Sequence, residues 1–347
     1  MESKKNGIVV LSLFDGMSCG QIALKNLGIN VSKYYASEID QNAIKVTQNN
    51  FPNTIQLGDV TKINAKELSH IDLLIAGSPC QGFSFAGKQL AFDDARSKLF
   101  FEFVRVKNEC NPTYFMLENV RMKKKHEMII SEYMGLEPMY IDSSRFSAQQ
   151  RKRLYWSNIQ TVKTIFGVKT HFQLPKDKGL KLFDILENRK EGQSAVEISK
   201  QKRNGLHILE SSFNNKSNSL TTFEHNSMVG IFPIDKSFYL NDDNIKKAIK
   251  YKEERVFKTG NSRGNMPFPN KLNWKSLCLT TTNGSSRTVN FVDDGFGVRR
   301  LTPLEWERLQ TVPENYTDCV PKSHRYKMLG NGWTIAVIEY IFSFMKF

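Results

Sequence analysis

Residues 72–84, DLLIAGSPCQGFS, run from an apolar strand into a turn that ends on a thiol. The apolar stretch suits a strand covered on both faces, and Gly77, Ser78 and Pro79 break it just before Cys80. A structural cysteine would sit inside the apolar run as a small hydrophobe. A thiol beyond the strand, in a polar glycine-rich loop, suits a nucleophile that needs access and a depressed pKa. On residues alone, Cys80 reads equally as a nucleophile and as an inert loop thiol. Glu118, in MLENV, ends another strand-like stretch and could hold a proton for the same substrate. Upstream, FDGMSCG (14–20) joins a strand to a helix, with glycines that let the backbone approach a ligand. It is not the dinucleotide GxGxxG, because Asp15 takes the first glycine's place. Glu38, where a second strand ends, is placed to hold ribose hydroxyls. Asp59, in LGDV, could accept from an adenine amine, though alone it is a turn aspartate. Together the three carboxylates describe an adenosine-containing cofactor site and do not exclude a nicotinamide dinucleotide.

These side chains need a scaffold that gathers them. IVVLSLF (8–14), KYYASEI (33–39), TIQLGDV (54–60), IDLLIAGSP (71–79) and TYFMLENV (113–120) read as strands. GQIALKNLG (20–28), QNAIKVTQNNF (41–51) and SKLFFEFVRVKNEC (97–110) carry helical spacing. This alternation predicts an α/β fold with a doubly wound, mostly parallel sheet, whose ligands lie at the carboxyl ends of the strands. Asp15, Glu38, Asp59, Cys80 and Glu118 all fall there. From 161 to 298 the text turns to Asn, Ser, Thr, Lys and Gly with short apolar runs and few long helical stretches. Helical spacing returns in RRLTPLEWERLQ (299–310), and NGWTIAVIEYIFSFM (331–345) predicts an apolar terminal helix. The expected organisation is a domain over 1–160, an insert over 161–298, and a return to the first domain over 299–347.

Lys plus Arg number 49 against 35 Asp plus Glu, a net charge of +14 that favours a polyanionic partner, most often nucleic acid. The five cysteines are scattered, with no CxxC or Cys/His cluster at zinc spacing, so neither a metal site nor a disulfide framework is expected. MESKKNGIVVLSLFDG lacks a signal-peptide layout and no apolar run reaches membrane-spanning length, so a cytoplasmic protein without a membrane partner is expected.

The blocks LSLFDGMSCG, ASEID, LGDV, GSPCQGFSFAGKQLAFDDARSKLFFEF, FMLENV, SAQQRKRLYWSNI, RRLTPLEWERLQTVP and LGNGWTIAVIEYIF stand in the order of a known family. Nearly the whole chain resembles the DNA (cytosine-5) methyltransferases of bacteria and phages, and some blocks are also similar to the animal de novo enzymes. The resemblance implies a Rossmann-like class I methyltransferase with a seven-stranded sheet and a smaller target-recognition domain over 161–298. It implies S-adenosyl-L-methionine as cofactor and double-stranded DNA as partner, with the enzyme a monomer on DNA inside a bacterial cell or phage-infected host. A cognate restriction endonuclease, acting separately, is a further implied partner. By the same resemblance Cys80 attacks carbon 6 of cytosine, Glu118 binds the ring N3 and exocyclic amine, and Arg151 and Arg153 contact the base carbonyl and nearby backbone. Phe14, Asp15, Gly16, Ser18, Cys19, Gly20, Glu38, Ile39, Asp59, Val60, Pro79, Leu99, Asn331 and Trp333 match positions that hold the cofactor. Gln81, Ser84, Lys88, Arg96, Thr281 and Arg287 match positions that meet DNA. One departure stands out: the last block reads GNGWT where the family usually has Gly-Asn-Ser-Val. Rival readings are a transfer-RNA cytosine methyltransferase, a catalytically silent DNA-binding relative and, at the level of fold alone, a Rossmann dehydrogenase.

Overall fold

The computed structural model describes residues 7–78, 95–165, 167–187, 202–203, 206–207, 234–259, 274–279, 290–294 and 297–347 of the 347-residue chain, without side chains at 95–98, 202–203, 206–207, 236 and 251–259. The first half alternates as the sequence predicts: β1 (Ile8–Leu13), α1 (Cys19–Asn26), β2 (Val31–Ser37), α2 (Gln41–Asn50), β3 (Ile55–Gln56), β4 (Leu73–Gly77), α3 (Ala95–Cys110), β5 (Tyr114–Val120), α4 (Lys124–Met134), β6 (Met139–Asp142) and β7 (Lys152–Ser157). These strands form one seven-stranded sheet in the order β3-β2-β1-β4-β5-β7-β6. The β3 to β5 side is parallel, and β7 runs antiparallel to both β5 and β6.

Strand periodicity sorts the apolar runs onto two faces. Ile8 and Val10 of β1, Leu73 and Ile75 of β4 and Met116 of β5 join one core with Ile22 of α1. Their neighbours Leu11, Leu13, Leu74, Ala76, Phe115 and Leu117 join the other core with Phe100, Phe103 and Val106 of α3 and Ile130 of α4. An unbroken apolar strand is therefore required, because both of its faces are covered.

Beyond β7 come the antiparallel pairs β8 (Thr161–Thr164) with β9 (Gly167–Thr170) and β10 (Lys202–Arg203) with β11 (Leu206–His207). Then follow α5 (Asp242–Thr259) and the pair β12 (Phe291–Asp293) with β13 (Val298–Arg300). The chain ends in α6 (Pro303–Leu309), α7 (Lys322–Asn331) and α8 (Ile335–Phe342). Trp306, Leu309, Leu329, Ile335 and Ile338 of these last helices complete the first core, so the C-terminal segment does return to the sheet. Thr302 starts α6 with a capping box: its hydroxyl accepts from Glu305 N–H and the Glu305 carboxylate accepts from Thr302 N–H. Among the described residues no helix is long and apolar enough to cross a membrane.

Two local expectations are corrected. The third strand is two residues long, not 54–60, because Gly58 turns at φ 71° and Asp59 caps a short 3-10 turn at Val60–Lys62. In the insert, where few long helical stretches are expected, the 18-residue α5 is a long helix among the described residues. The terminal helix predicted over 331–345 is broken: α7 ends at Asn331, and Gly332 to Thr334 lie between it and α8.

Candidate active site

Between β1 and α1 the backbone enters the left-handed region at Phe14 (φ 55°), Gly16 (φ 59°) and Ser18 (φ 60°). Two of these are not glycine, and such positions cost about 1–3 kcal/mol each, which surrounding contacts must offset. The supports are specific. The buried Asp15 carboxylate accepts from the Ser18 hydroxyl and from Tyr34 Oη at 2.9 Å, and Tyr316 Oη donates to the Met17 carbonyl at 2.8 Å. Burial pushes the Asp15 pKa up to about 6, with Glu38 adding to the rise while hydrogen bonds from Ser12, Ser18 and Tyr34 oppose it. Glu38, immediately past β2, accepts from Gly16 N–H at 2.8 Å on one oxygen and from Ile39 and Asp40 N–H at 2.7 and 2.8 Å on the other. Ile39 beside it is 72% exposed, an uncovered apolar surface at the rim.

Asp59 accepts from the backbone and hydroxyl of Thr61, which hold its carboxyl below the usual range. Arg105 of α3 donates to the Val60 and Ile63 carbonyls at 3.1 and 2.9 Å and so fixes that turn to the helix beneath. Among the remaining residues matched to the cofactor, Val60 is buried in the second core, and Leu99 of α3 packs partly buried against it. Gly20 lies in the first turn of α1, where a Cβ would stand 2.2 Å from Ile75 Cδ1. Its place is explained by close helix–strand packing. The Cys19 thiol is buried within 4.0 Å of the Trp333 carbonyl, and burial pushes its pKa up to about 12, the wrong direction for a nucleophile.

Glu118 lies on β5 directly opposite Gly77, the last residue of β4, and is 7% exposed. Its two oxygens have separate donors: Arg153 Nε at 2.9 Å from Oε1 and Trp333 Nε1 at 3.0 Å from Oε2. Burial alone would push the Arg153 guanidinium down, but Cys278 and Glu118 beside it outweigh that and hold it above its ordinary value. Asn119, next to Glu118, donates to the buried Ser78 hydroxyl at 3.0 Å, and Ser78 is the described residue closest in sequence to Cys80. Two neighbouring central strands thus present a carboxylate and the residue that opens the cysteine loop at the carboxyl end of β4.

Arg151 is committed elsewhere. Its Nη1 donates to the Gly330 carbonyl at 3.2 Å and its Nη2 to the Gly332 carbonyl at 2.9 Å, with the Asn331 carbonyl at 3.5 Å, so it caps the carboxyl end of α7. The Leu279 carbonyl at 3.5 Å and Cys278 Sγ at 3.4 Å complete its surroundings. The Asn331 side chain itself is exposed.

A sequence profile of the C-5 cytosine-specific DNA methylases matches residues 8–346. The chain belongs to that family. Type II methyltransferase M.HpaII of Haemophilus parainfluenzae is a methylase 30% identical over 345 residues, which is 95% of this chain and 86% of that protein. Orphan methyltransferase M.SPRI of Bacillus phage SPR is 32% identical over 256 residues, covering 70% of this chain but only 54% of the phage protein. The chain thus aligns with about half the length of that relative. In fold it is similar to the Entamoeba histolytica methyltransferase EhMeth, with a TM-score of 0.65 over 98% of this chain and 99% of that one at 16% identity. It is also similar to a putative DNA modification methyltransferase from an E. coli prophage, with a TM-score of 0.58, 97% and 98% coverage and 22% identity.

The expected methylase site is therefore brought together only in part. Asp15, Glu38, Asp59, Glu118, Arg153 and Trp333 are placed at the carboxyl ends of the strands or in the loop against them. Pro79, Cys80, Gln81, Ser84, Lys88, Thr281 and Arg287 lie outside the described residues, as does the side chain of Arg96. Sequence reasoning missed two contacts in this methylase: the indole of Trp333 on Glu118, and the approach of Cys278 to within 3.8 Å of Arg153. The SLCL stretch reaches Arg153 because Ser276 bridges to Gln149, beside the QQRKR arginines. The signal available for the first was the Trp in place of the usual Val, a large donor-bearing residue that needs an acceptor when buried.

Proposed function

We propose that the chain transfers a methyl group from S-adenosyl-L-methionine to carbon 5 of a cytosine flipped out of double-stranded DNA, through a covalent bond between Cys80 Sγ and carbon 6. The observation that carries this reading is the register of Gly77 opposite Glu118, with Cys80 three residues further along the same strand exit. A carboxylate on one strand and a thiol carried three residues past the end of its neighbour suit the recognition of one planar ring. The family match, the basic surplus of +14 and the type II and orphan methyltransferase names of the relatives support DNA as substrate.

The residues at the glycine turn fit the cofactor. Two carboxylates, Asp15 and Glu38, face the turn, and Glu38 already uses the Gly16 N–H that a pyrophosphate would need. That arrangement disfavours a dinucleotide and suits an adenosine carrying positive charge, with Glu38 lone pairs left for ribose hydroxyls and Ile39 for a flat base. When bound, S-adenosylmethionine supplies an electrophilic methyl group. The protein does the rest. Cys80 bonds to carbon 6, and Glu118 meets N3 and the exocyclic amine, where the pyrimidine's electron density accumulates. Arg153 holds Glu118 from the side away from β4 and also donates to the Lys152 carbonyl at 2.8 Å and toward Cys278 Sγ at 3.8 Å, so a second proton on one of its Nη atoms would have to meet the base carbonyl. With carbon 5 methylated, its proton passes to solvent water acting as base, the carbon–hydrogen pair re-forms the carbon 5–carbon 6 double bond, and the carbon 6–sulfur bond breaks to return the Cys80 thiolate. Because stacked neighbours in a duplex cover the ring faces through which carbon 5 and carbon 6 react, the base must leave the stack, at a cost of roughly a few kcal/mol that DNA contacts offset. We assign those contacts to Gln81, Ser84 and Lys88 after Cys80, to Arg96 in the first turn of α3, and to Thr281 and Arg287 within a target-recognition domain over 161–298. The enzyme acts as a monomer in the cytoplasm of a bacterial or phage-infected cell. A separate endonuclease of the same recognition sequence is its partner if it serves restriction–modification.

Labelled S-adenosylmethionine tests the reading with duplex DNA and transfer RNA assayed side by side. Label should enter DNA alone, Cys80→Ser should abolish turnover, and DNA containing 5-fluorocytosine should form a covalent adduct. Turnover that survives Cys80→Ser would remove the mechanism, and label in transfer RNA alone would replace the substrate.

A further inference from the structure

We propose that Trp333 is a positioning residue for Glu118, not part of the cofactor wall to which its sequence block assigns it. The inference rests on the proposed function and adds a residue to its reaction centre. Each Glu118 oxygen has one side-chain donor, Arg153 on Oε1 at 2.9 Å and the Trp333 indole on Oε2 at 3.0 Å. A carboxylate held by one donor can swing about it; held by two, on opposite oxygens, its plane is set. An indole N–H only donates, and a carboxylate offers about four lone pairs, so both holds leave acceptor sites free for the pyrimidine's exocyclic amine and for the proton shared with N3, which is itself an acceptor in neutral cytosine.

The indole is itself preset. A Cβ on Gly77 would lie 2.9 Å from Trp333 Nε1 and 3.3 Å from Cε2 and Cζ2, so the ring packs against the end of β4 where only glycine leaves room. The backbone on either side is pinned. Arg151 and Gln310 donate to the Gly332 carbonyl at 2.9 and 3.2 Å, and Thr334 donates to Gln310 Oε1 at 2.8 Å. Arg151 therefore acts at one remove, fixing the segment that carries the indole. With Trp333 only 8% exposed, its N–H has the carboxylate as partner in place of water.

The test compares wild type with Trp333→Phe, which keeps an aromatic ring and removes the donor, in steady-state methylation of duplex DNA by the full chain. The maximal rate should fall about tenfold to a hundredfold, while the KM for S-adenosylmethionine moves less than about threefold. In a Glu118→Gln background the same substitution should cost little more, because the group it acts through is gone. A raised cofactor KM with unchanged kcat would overturn the proposal, as would full activity or additive losses in the double variant. Should Trp333→Phe fail to fold, a benzothienyl-alanine at 333, the same ring system without the N–H, carries the same expectations. Wild-type methylation with an indifferent Trp333 would sink this inference alone; a wild-type chain that methylates nothing would sink the proposed function with it.

Discussion

At the scale of single residues, the glycine turn holds a carboxyl group against its own solvation. Asp15 is 9% exposed, and burial is the largest influence on it, raising its pKa from 3.8 to about 6. The sign of the linkage follows. The native state keeps the proton that the unfolded chain loses near pH 3.8, so Asp15's contribution to stability is fully present below that value and is lost as pH rises toward 6. The span between the two values corresponds to about 3 kcal/mol. Urea denaturation of wild type and Asp15→Asn should show the difference between them change by roughly that amount from about pH 4 to about pH 7, with wild type losing ground. A difference constant with pH would mean that Asp15 ionises freely in the native state. The place of Asp15 between strand and helix was legible from FDG. Its pKa was not, because the residues that bury and contact it come from β1, β2 and the turn together.

At the scale of elements, the junction of α1 with β4 decides how close the glycine turn sits to the sheet. Gly20 brings the helix backbone onto Ile75, which is fully buried in the first core. Gly20→Val should destabilise the fold by about 2–3 kcal/mol, read as a lower urea midpoint, because Ile75 has no solvent-side space into which to move. An unchanged midpoint would show that the helix can lift away at no cost. The strand and helix pattern of the first half was legible because apolar runs, glycine turns and short loops are local signals. The third strand, the charged helix α5 and the break at Gly332 to Thr334 were not. Gly58 and Asp59 end β3 through a turn that an apolar count ignores. In α5 two acidic residues open a helix dominated by lysines, with Ala248 its best-buried described side chain.

At the scale of the whole molecule, a buried charge cluster ties the insert's end to the returning helices. Arg299 of β13 is fully buried, with Asp294 at 2.5 Å and Glu305 of α6 at 2.8 Å. Glu305 also accepts from Glu187 N–H at 3.2 Å, on the far side of the insert in sequence. Asp294 also accepts from Tyr239 Oη at 2.9 Å. Arg299→Met should cost about 3–5 kcal/mol, since two buried carboxylates lose their counterion, and should lower the melting temperature by roughly 10 °C. A shift of a degree or two would mean that water or repacking compensates. The net charge of +14 was legible at once and points to a polyanion, whereas the joining of Glu187 and Tyr239 to the local set Asp294, Arg299 and Glu305 is not written in any window of sequence.

Local chemistry and pattern by themselves determined the parallel sheet, the strand exits at which Asp15, Glu38, Asp59 and Glu118 stand, and the family, because backbone periodicity and motif order are written along the chain. Tertiary structure alone decided which donors face Glu118 and what Arg151 is for. Trp333 and Glu118 are 215 residues apart, and Arg151 and Gly332 are 181 apart. Contacts at that separation depend on how two covered faces close around one sheet, which no local propensity encodes.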